Sequence, residues 1–169
     1  AGLNRTAYVQ REDRMNVAGQ INALREALAD NWSIAIFPEG TTTDGLSLLP
    51  FKSSMLKLLE PPPARVLVQP VLIDYGAHSE TVGWVGEEGG LANALRLLAR
   101  PGHIAVRLHF LEPFAPGEHP GRKAVAARAR AEIETALVAA LGKPLRPFAH
   151  AVAPVRYHGP KGEPDDPPT

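Results

Sequence analysis

The chain contains no cysteine, so disulfide cross-linking, thiolate catalysis and cysteine-based metal sites are excluded, a usage that fits a reducing compartment. Net charge is lacking too, because 18 Lys and Arg balance 18 Asp and Glu. The overall field favours neither nucleic acid nor an acidic partner, and any anion site has to be local. No apolar run approaches the roughly 20 residues that a spanning helix needs, and the start has no signal-peptide pattern. What is left is a chain that is soluble or lies at a membrane surface. No Walker loop, dinucleotide glycine fingerprint or His/Asp metal spacing is present either.

What is there begins with 169 residues, 44% of them apolar, enough for one domain with its own core. The first residue is Ala1, and strand-like sequence starts by Thr6, so the chain reads as the later part of a longer protein. Thr6–Val9 is expected as a strand, followed by the charged cluster Gln10–Arg14. With Asn16 as N-cap, Val17, Ile21, Leu24 and Leu28 fall on one helical face, and Asp30-Asn31 ends that helix. Ser33–Phe37 has no polar position to spare and reads as a strand buried on both faces. A strand, helix, strand opening with a right-handed crossover follows.

The most informative stretch comes next, Phe-Pro-Glu-Gly-Thr-Thr-Thr-Asp-Gly over Phe37–Gly45. Pro38 ends the ladder, and Gly40 permits backbone that a Cβ would forbid. Glu39 is thereby placed at the mouth of the sheet, where open α/β sheets bind ligands. Further on, a short helix is expected at Ser53–Leu59, closed by Pro61-Pro62-Pro63, and a strand at Val66–Ile73 with Pro70 marking a bulge or an edge. His78–Gly90 reads as a loop or short hairpin and Leu91–Leu98 as a helix. His103–Phe110 alternates, with Ile104, Val106, Leu108 and Phe110 on the apolar side of a half-exposed strand. Arg122–Leu141 carries a stripe of Val125, Ala129, Ile133, Leu137 and Leu141 and stops at Gly142. Seven of the 17 prolines lie from Pro144 onward, so residues 1–142 are expected as the domain and 143–169 as an extended or disordered tail.

Candidate chemistry gathers at two places. Arg11 and Arg14 follow the first strand, while Glu39, Thr41, Thr42, Thr43 and Lys52 follow the next. If those strands are parallel neighbours, guanidinium and hydroxyl donors meet at one sheet edge, a set suited to a phosphate monoester. Glu39 can only accept when ionised, so its role is to take a substrate hydroxyl or orient an arginine. No serine or threonine has a histidine at motif spacing, and no convincing nucleophile or base is present.

These residues resemble the lysophospholipid acyltransferases typified by bacterial 1-acyl-sn-glycerol-3-phosphate acyltransferase. Phe37–Thr43 is similar to that family's third block at every position, Tyr8-Val9-Gln10-Arg11 to its second, and Val68-Gln69-Pro70-Val71 to its fourth. The first block, His-x-x-x-x-Asp, is not in the chain. In the family its histidine is the general base that takes the acceptor hydroxyl's proton. The resemblance therefore implies catalytic residues upstream of Ala1 and an inactive chain as it stands.

It also implies an α/β fold, a mostly parallel or mixed central sheet flanked by helices. Arg11, Glu39, Gly40, Thr41, Thr42, Thr43 and Lys52 would hold the phosphate and glycerol end of a lysophospholipid, with Val68–Val71 toward the acyl donor. The implied reaction moves an acyl group from acyl-CoA or acyl carrier protein to 1-acyl-sn-glycerol-3-phosphate, giving phosphatidic acid, at the cytoplasmic face of the inner membrane. No metal or bound cofactor is implied. Another lysolipid acceptor, such as a lyso-ornithine lipid, is an alternative. So is a non-catalytic lipid- or partner-binding module, in which Arg122, Lys123, Arg128 and Arg130 would meet anionic lipid.

Overall fold

The computed structural model describes residues 17–86 and 88–149. The expected strand Thr6–Val9, the Gln10–Arg14 cluster with Arg11, the Asn16 cap and the chain from His150 onward lie outside the described residues. The chain divides into two units, Ala1–Ile34 with Ala153–Thr169, and Ala35–Val152.

The first unit contributes helix α1, Val17–Ala29. Ile21, Leu24 and Leu28 are half-buried along one side while Glu26 is exposed, as the spacing predicts. The helix stops where Asn31 turns left-handed, φ 60, a geometry that asparagine tolerates better than most residues. The Asn31 and Trp32 amides then donate back to the Leu28 and Ala27 carbonyls at 3.1 and 3.0 Å.

In the second unit, Ser53–Leu59 is helical as expected but in the tighter 3-10 form, burying Leu56, Leu58 and Leu59. Strand β1, Val71–Asp74, pairs antiparallel with β2, Arg107–Phe110, placing Val71 opposite Phe110, Leu72 opposite His109, Ile73 opposite Leu108 and Asp74 opposite Arg107. Pro70 divides the longer strand expected over Val66–Ile73. On one side of it Val68 and Phe114 exchange amide bonds of 2.9 and 3.0 Å, and on the other β1 begins. Pro70 has no N–H to donate, but its carbonyl accepts the Leu111 amide at 3.0 Å.

The expectation was a mostly parallel or mixed sheet; the ladder among the described residues is this one antiparallel pair, and the expected strand Thr6–Val9 lies outside them. Residues 33–37 enter no ladder with a described residue, and Phe37 stands 70% exposed.

In β2 the expected faces are reversed, because Leu108 and Phe110 point outward while His109 turns inward to within 3.5 Å of the buried Asp74 carboxylate. Arg107 reaches the same oxygen at 3.5 Å. A buried carboxylate needs such partners, and that requirement overrides the apolar alternation.

Helix α2, Ser79–Val82, follows a 3-10 turn at Gly76–His78 and replaces part of the expected loop or hairpin. Helix α3, Gly90–Leu98, matches the expected helix, yet Asn93 is its buried residue while Leu91, Leu95 and Leu98 are exposed. Helix α4, Gly121–Leu141, packs on the 3-10 helix and on β1 through Val125, Ala126, Ala129 and Leu137. At its start Glu60 accepts the Arg122 amide at 3.0 Å and pairs with its guanidinium at 3.2 Å, a carboxylate at a helix N-terminus. At its end Gly142 is left-handed, φ 64, and its N–H returns to Val138 at 3.0 Å.

Candidate functional site

The Phe37–Gly45 motif opens a loop whose two limbs are tied together. The Gly40 amide donates to Phe37 at 3.1 Å, and the Lys52 amide donates to Pro38 at 2.8 Å. Lys52 then folds its side chain over the turn, so a Cβ on Gly40 would stand 2.6 Å from its Nζ. With φ 72 as well, Gly40 is required for its backbone, while a Cβ there would have to displace the tip of Lys52.

Glu39 sits half-buried inside this turn, and its Oε2 accepts the Leu49 amide at 2.8 Å. Among the described residues that is the carboxylate's only hydrogen bond. Burial pushes the Glu39 pKa up, the Leu49 bond and the Arg130 charge pull it back, and it stays above the ordinary carboxylate value.

The three threonines serve different ends. Thr42 donates its hydroxyl to the Trp84 carbonyl at 2.7 Å. Thr43 donates to the Ser47 carbonyl at 3.3 Å and accepts the Gly45 amide at 3.2 Å. A hydroxyl has one proton to give, so in this conformation both are engaged in shaping the loop. Thr41 is exposed and has no partner among the described residues. The structure thus brings Glu39, Gly40 and Lys52 together. Arg11 lies outside the described residues, so its place beside them is an expectation only.

Three residues beyond those expected at the site hold the loop in place. Asp44 is buried, 7% exposed, and accepts from the Leu46 amide at 2.9 Å and the Ser47 hydroxyl at 3.3 Å. Arg146 completes its shell with Nε at 3.2 Å and Nη2 at 3.1 Å. Burial opposes ionisation of Asp44, but these donors outweigh it and hold its pKa below the ordinary value. An Asp two residues before a needed amide is a readable local turn signal. Arg146 carried none, since it lies in the segment expected as a tail.

Arg130 is the third. From α4 it donates Nη2 to the Leu48 carbonyl at 3.2 Å and Nε to the Leu49 carbonyl at 3.3 Å. The basic cluster expected to meet lipid is largely engaged within the protein. Arg122 pairs with Glu60 and Arg128 with Glu132, and Arg128 also lies 5.5 Å over the Phe114 ring. Lys123 is exposed.

A shallow cavity of about 420 Å3 lies at Leu46, Asp74, Ser79, Glu80, Leu141 and Lys143, without Glu39 or Lys52 in its lining. Among the described residues no group of three His, Asp or Glu could hold a metal, and no helix is long and apolar enough to cross a membrane. Chemically, the loop offers a half-buried acceptor carboxylate, held by the Leu49 amide, and an exposed lysine folded over the neighbouring Gly40. That pair can hold a polar headgroup, but it contains no nucleophile with an adjacent base.

Comparison with known proteins places a match to the Acyltransferase family over residues 3–74. The lyso-ornithine lipid O-acyltransferase of Rhizobium meliloti is 33% identical over 74% of this chain and 47% of its own length. That of Brucella abortus is 33% identical over 82% of this chain and 58% of its length. Human lysophosphatidylcholine acyltransferase 1 is 29% identical over 70% of this chain and 22% of its length. The chain therefore spans about half the length of the bacterial relatives it matches. No solved structure matches it.

Proposed function

Because the chain belongs to the lysophospholipid acyltransferase family, we propose that it forms the acceptor-holding part of an enzyme that acylates the free hydroxyl of a lysolipid. The observation that carries this reading is the tied turn in which Glu39 and Lys52 flank Gly40. The donor is a thioester, acyl-CoA or acyl carrier protein, and the general base is supplied by a His-x-x-x-x-Asp block outside these residues. The reaction proceeds at a membrane surface, where the lysolipid acceptor resides.

For the acceptor we propose a lyso-ornithine lipid ahead of 1-acyl-sn-glycerol-3-phosphate. Relatives named for lyso-ornithine lipid align over most of this chain. An ornithine headgroup carries both a carboxylate and an ammonium, opposite in charge to Lys52 and Glu39, whereas a phosphate headgroup offers Glu39 no cation.

The test offers lyso-ornithine lipid, lysophosphatidate and lysophosphatidylcholine to the full-length protein with each donor, measuring acylated product. Lyso-ornithine lipid should be used at least about tenfold better, and Glu39→Gln should cut that turnover by a similar factor, the size of a lost charged hydrogen bond. Preference for lysophosphatidate would overturn the acceptor assignment. Full turnover by Glu39→Gln would remove the loop from the site.

A further inference from the structure

Leu48 and Leu49 share one peptide unit, and its two polar ends are held from opposite sides. Its oxygen accepts Arg130 Nη2 at 3.2 Å, and its N–H donates to Glu39 Oε2 at 2.8 Å. Arg130 adds a second bond from Nε to the next carbonyl, Leu49, at 3.3 Å. The guanidinium therefore grips two consecutive carbonyls with its planar fork, a geometry that an ammonium cannot reproduce. A peptide held between a cation and an anion is polarised along that line, so each bond strengthens the other.

The fork is itself fixed. Nη1 pairs with Glu134 one turn further along α4, and the same stretch of helix buries Val125, Ala126 and Ala129. At the loop tip Thr41 and Thr42 are exposed, while this peptide is held at both ends.

We propose that Arg130 is a positioning residue for Glu39, acting through the Leu48–Leu49 peptide to hold the carboxylate where it meets the acceptor lipid. This rests on the reading of the loop as the headgroup site. Without the fork the peptide plane can rotate, the Leu49 amide leaves Glu39, and the carboxylate loses its orientation while the rest of α4 stays packed.

The experiment uses the full-length protein as wild type, Arg130→Met, Arg130→Lys, Glu39→Gln and the Arg130→Met/Glu39→Gln double variant. Acceptor and donor KM, kcat, melting temperature and amide exchange at Leu49 are measured, with lyso-ornithine lipid as the acceptor. Arg130→Met should raise the acceptor KM about tenfold with the donor KM within about twofold, and Arg130→Lys should not restore it. Because the effect passes through Glu39, the double variant should be no more than about twofold worse than the poorer single one.

An unchanged acceptor KM, equal changes in both KM values, or multiplied losses in the double variant would overturn the inference. Should Arg130→Met not fold, Arg130→Lys is read on the same measures. If the wild type acylates no lysolipid, the functional reading fails. Exchange at Leu49 then decides the inference alone: acceleration by about tenfold or more supports it, and unchanged exchange refutes it.

Discussion

Glu39 illustrates at the scale of one residue how a half-buried carboxylate costs the fold stability. Its pKa is raised, so the folded state favours the protonated form, and ionisation of Glu39 opposes folding once the pH exceeds the ordinary carboxylate value of about 4.3. Glutamine keeps an oxygen for the Leu49 amide and removes the charge. Glu39→Gln is therefore expected to melt higher than wild type near pH ~7, with the gap closing as the pH falls toward ~4. Equal melting curves at both values would show that burial of Glu39 is not felt. Glu39, Gly40 and Lys52 were readable from the sequence because they belong to one turn and its return limb. Arg130 was not, since it bonds to a carbonyl 81 residues away and its own neighbourhood reads as an exposed basic helix face.

The loop and the segment after α4 behave as one element. Arg146 links the buried Asp44 to Glu80, at 3.1 and 3.4 Å, and so ties residues 143–149 to the motif loop and to α2. Gly45 lies so close to α2 that a Cβ would stand 3.0 Å from the Ser79 side chain. Asp44 has a depressed pKa, so its contribution is fully present above the ordinary aspartate value of about 3.9 and disappears as the pH drops through the lowered value.

Arg146→Gln should cost about 1 kcal/mol near pH ~7, a modest figure because the arginine is half-exposed to screening water. That corresponds to a few degrees of melting temperature in a chain of this size. In acid the variant and wild type should converge. A difference that persists below the pH at which Asp44 protonates would mean that Arg146 acts through packing. Residues 143–149 carry no regular element, and composition says nothing of a single long-range ion pair.

At the scale of the molecule, the described residues leave much apolar surface uncovered. One face of the β1–β2 ladder presents Val71, Ile73, Leu108 and Phe110, and α3 presents Leu91, Leu95 and Leu98, the last 82% exposed. Patches of this kind drive association when nothing covers them. The chain produced alone should self-associate as its concentration rises, by light scattering, and Leu95→Gln with Leu98→Gln should reduce this without lowering the melting temperature. Scattering that ignores both substitutions would place the association elsewhere. The same α3 and β2 residues show where periodicity misleads. Their apolar spacing correctly marked a helix and a strand, but the buried position of α3 went to Asn93, bonded to Glu88 at 3.0 Å, and the inward side of β2 to His109, which faces the buried Asp74 of β1.

The sequence by itself determined what depends on neighbours along the chain. It placed α1, the 3-10 helix, α3 and α4 with their ends, the break at Pro70, and the turn that presents Glu39 beside Gly40. Propensity, proline and glycine act within a few residues, and the family resemblance rests on the same local blocks. Only the tertiary structure decided which face of each element is buried, which strand pairs with which, and what holds the loop. Those outcomes turn on partners far away in the chain, Arg130 and Arg146 for the loop and His109 for Asp74. A buried charge is stable only where the fold brings it such a partner.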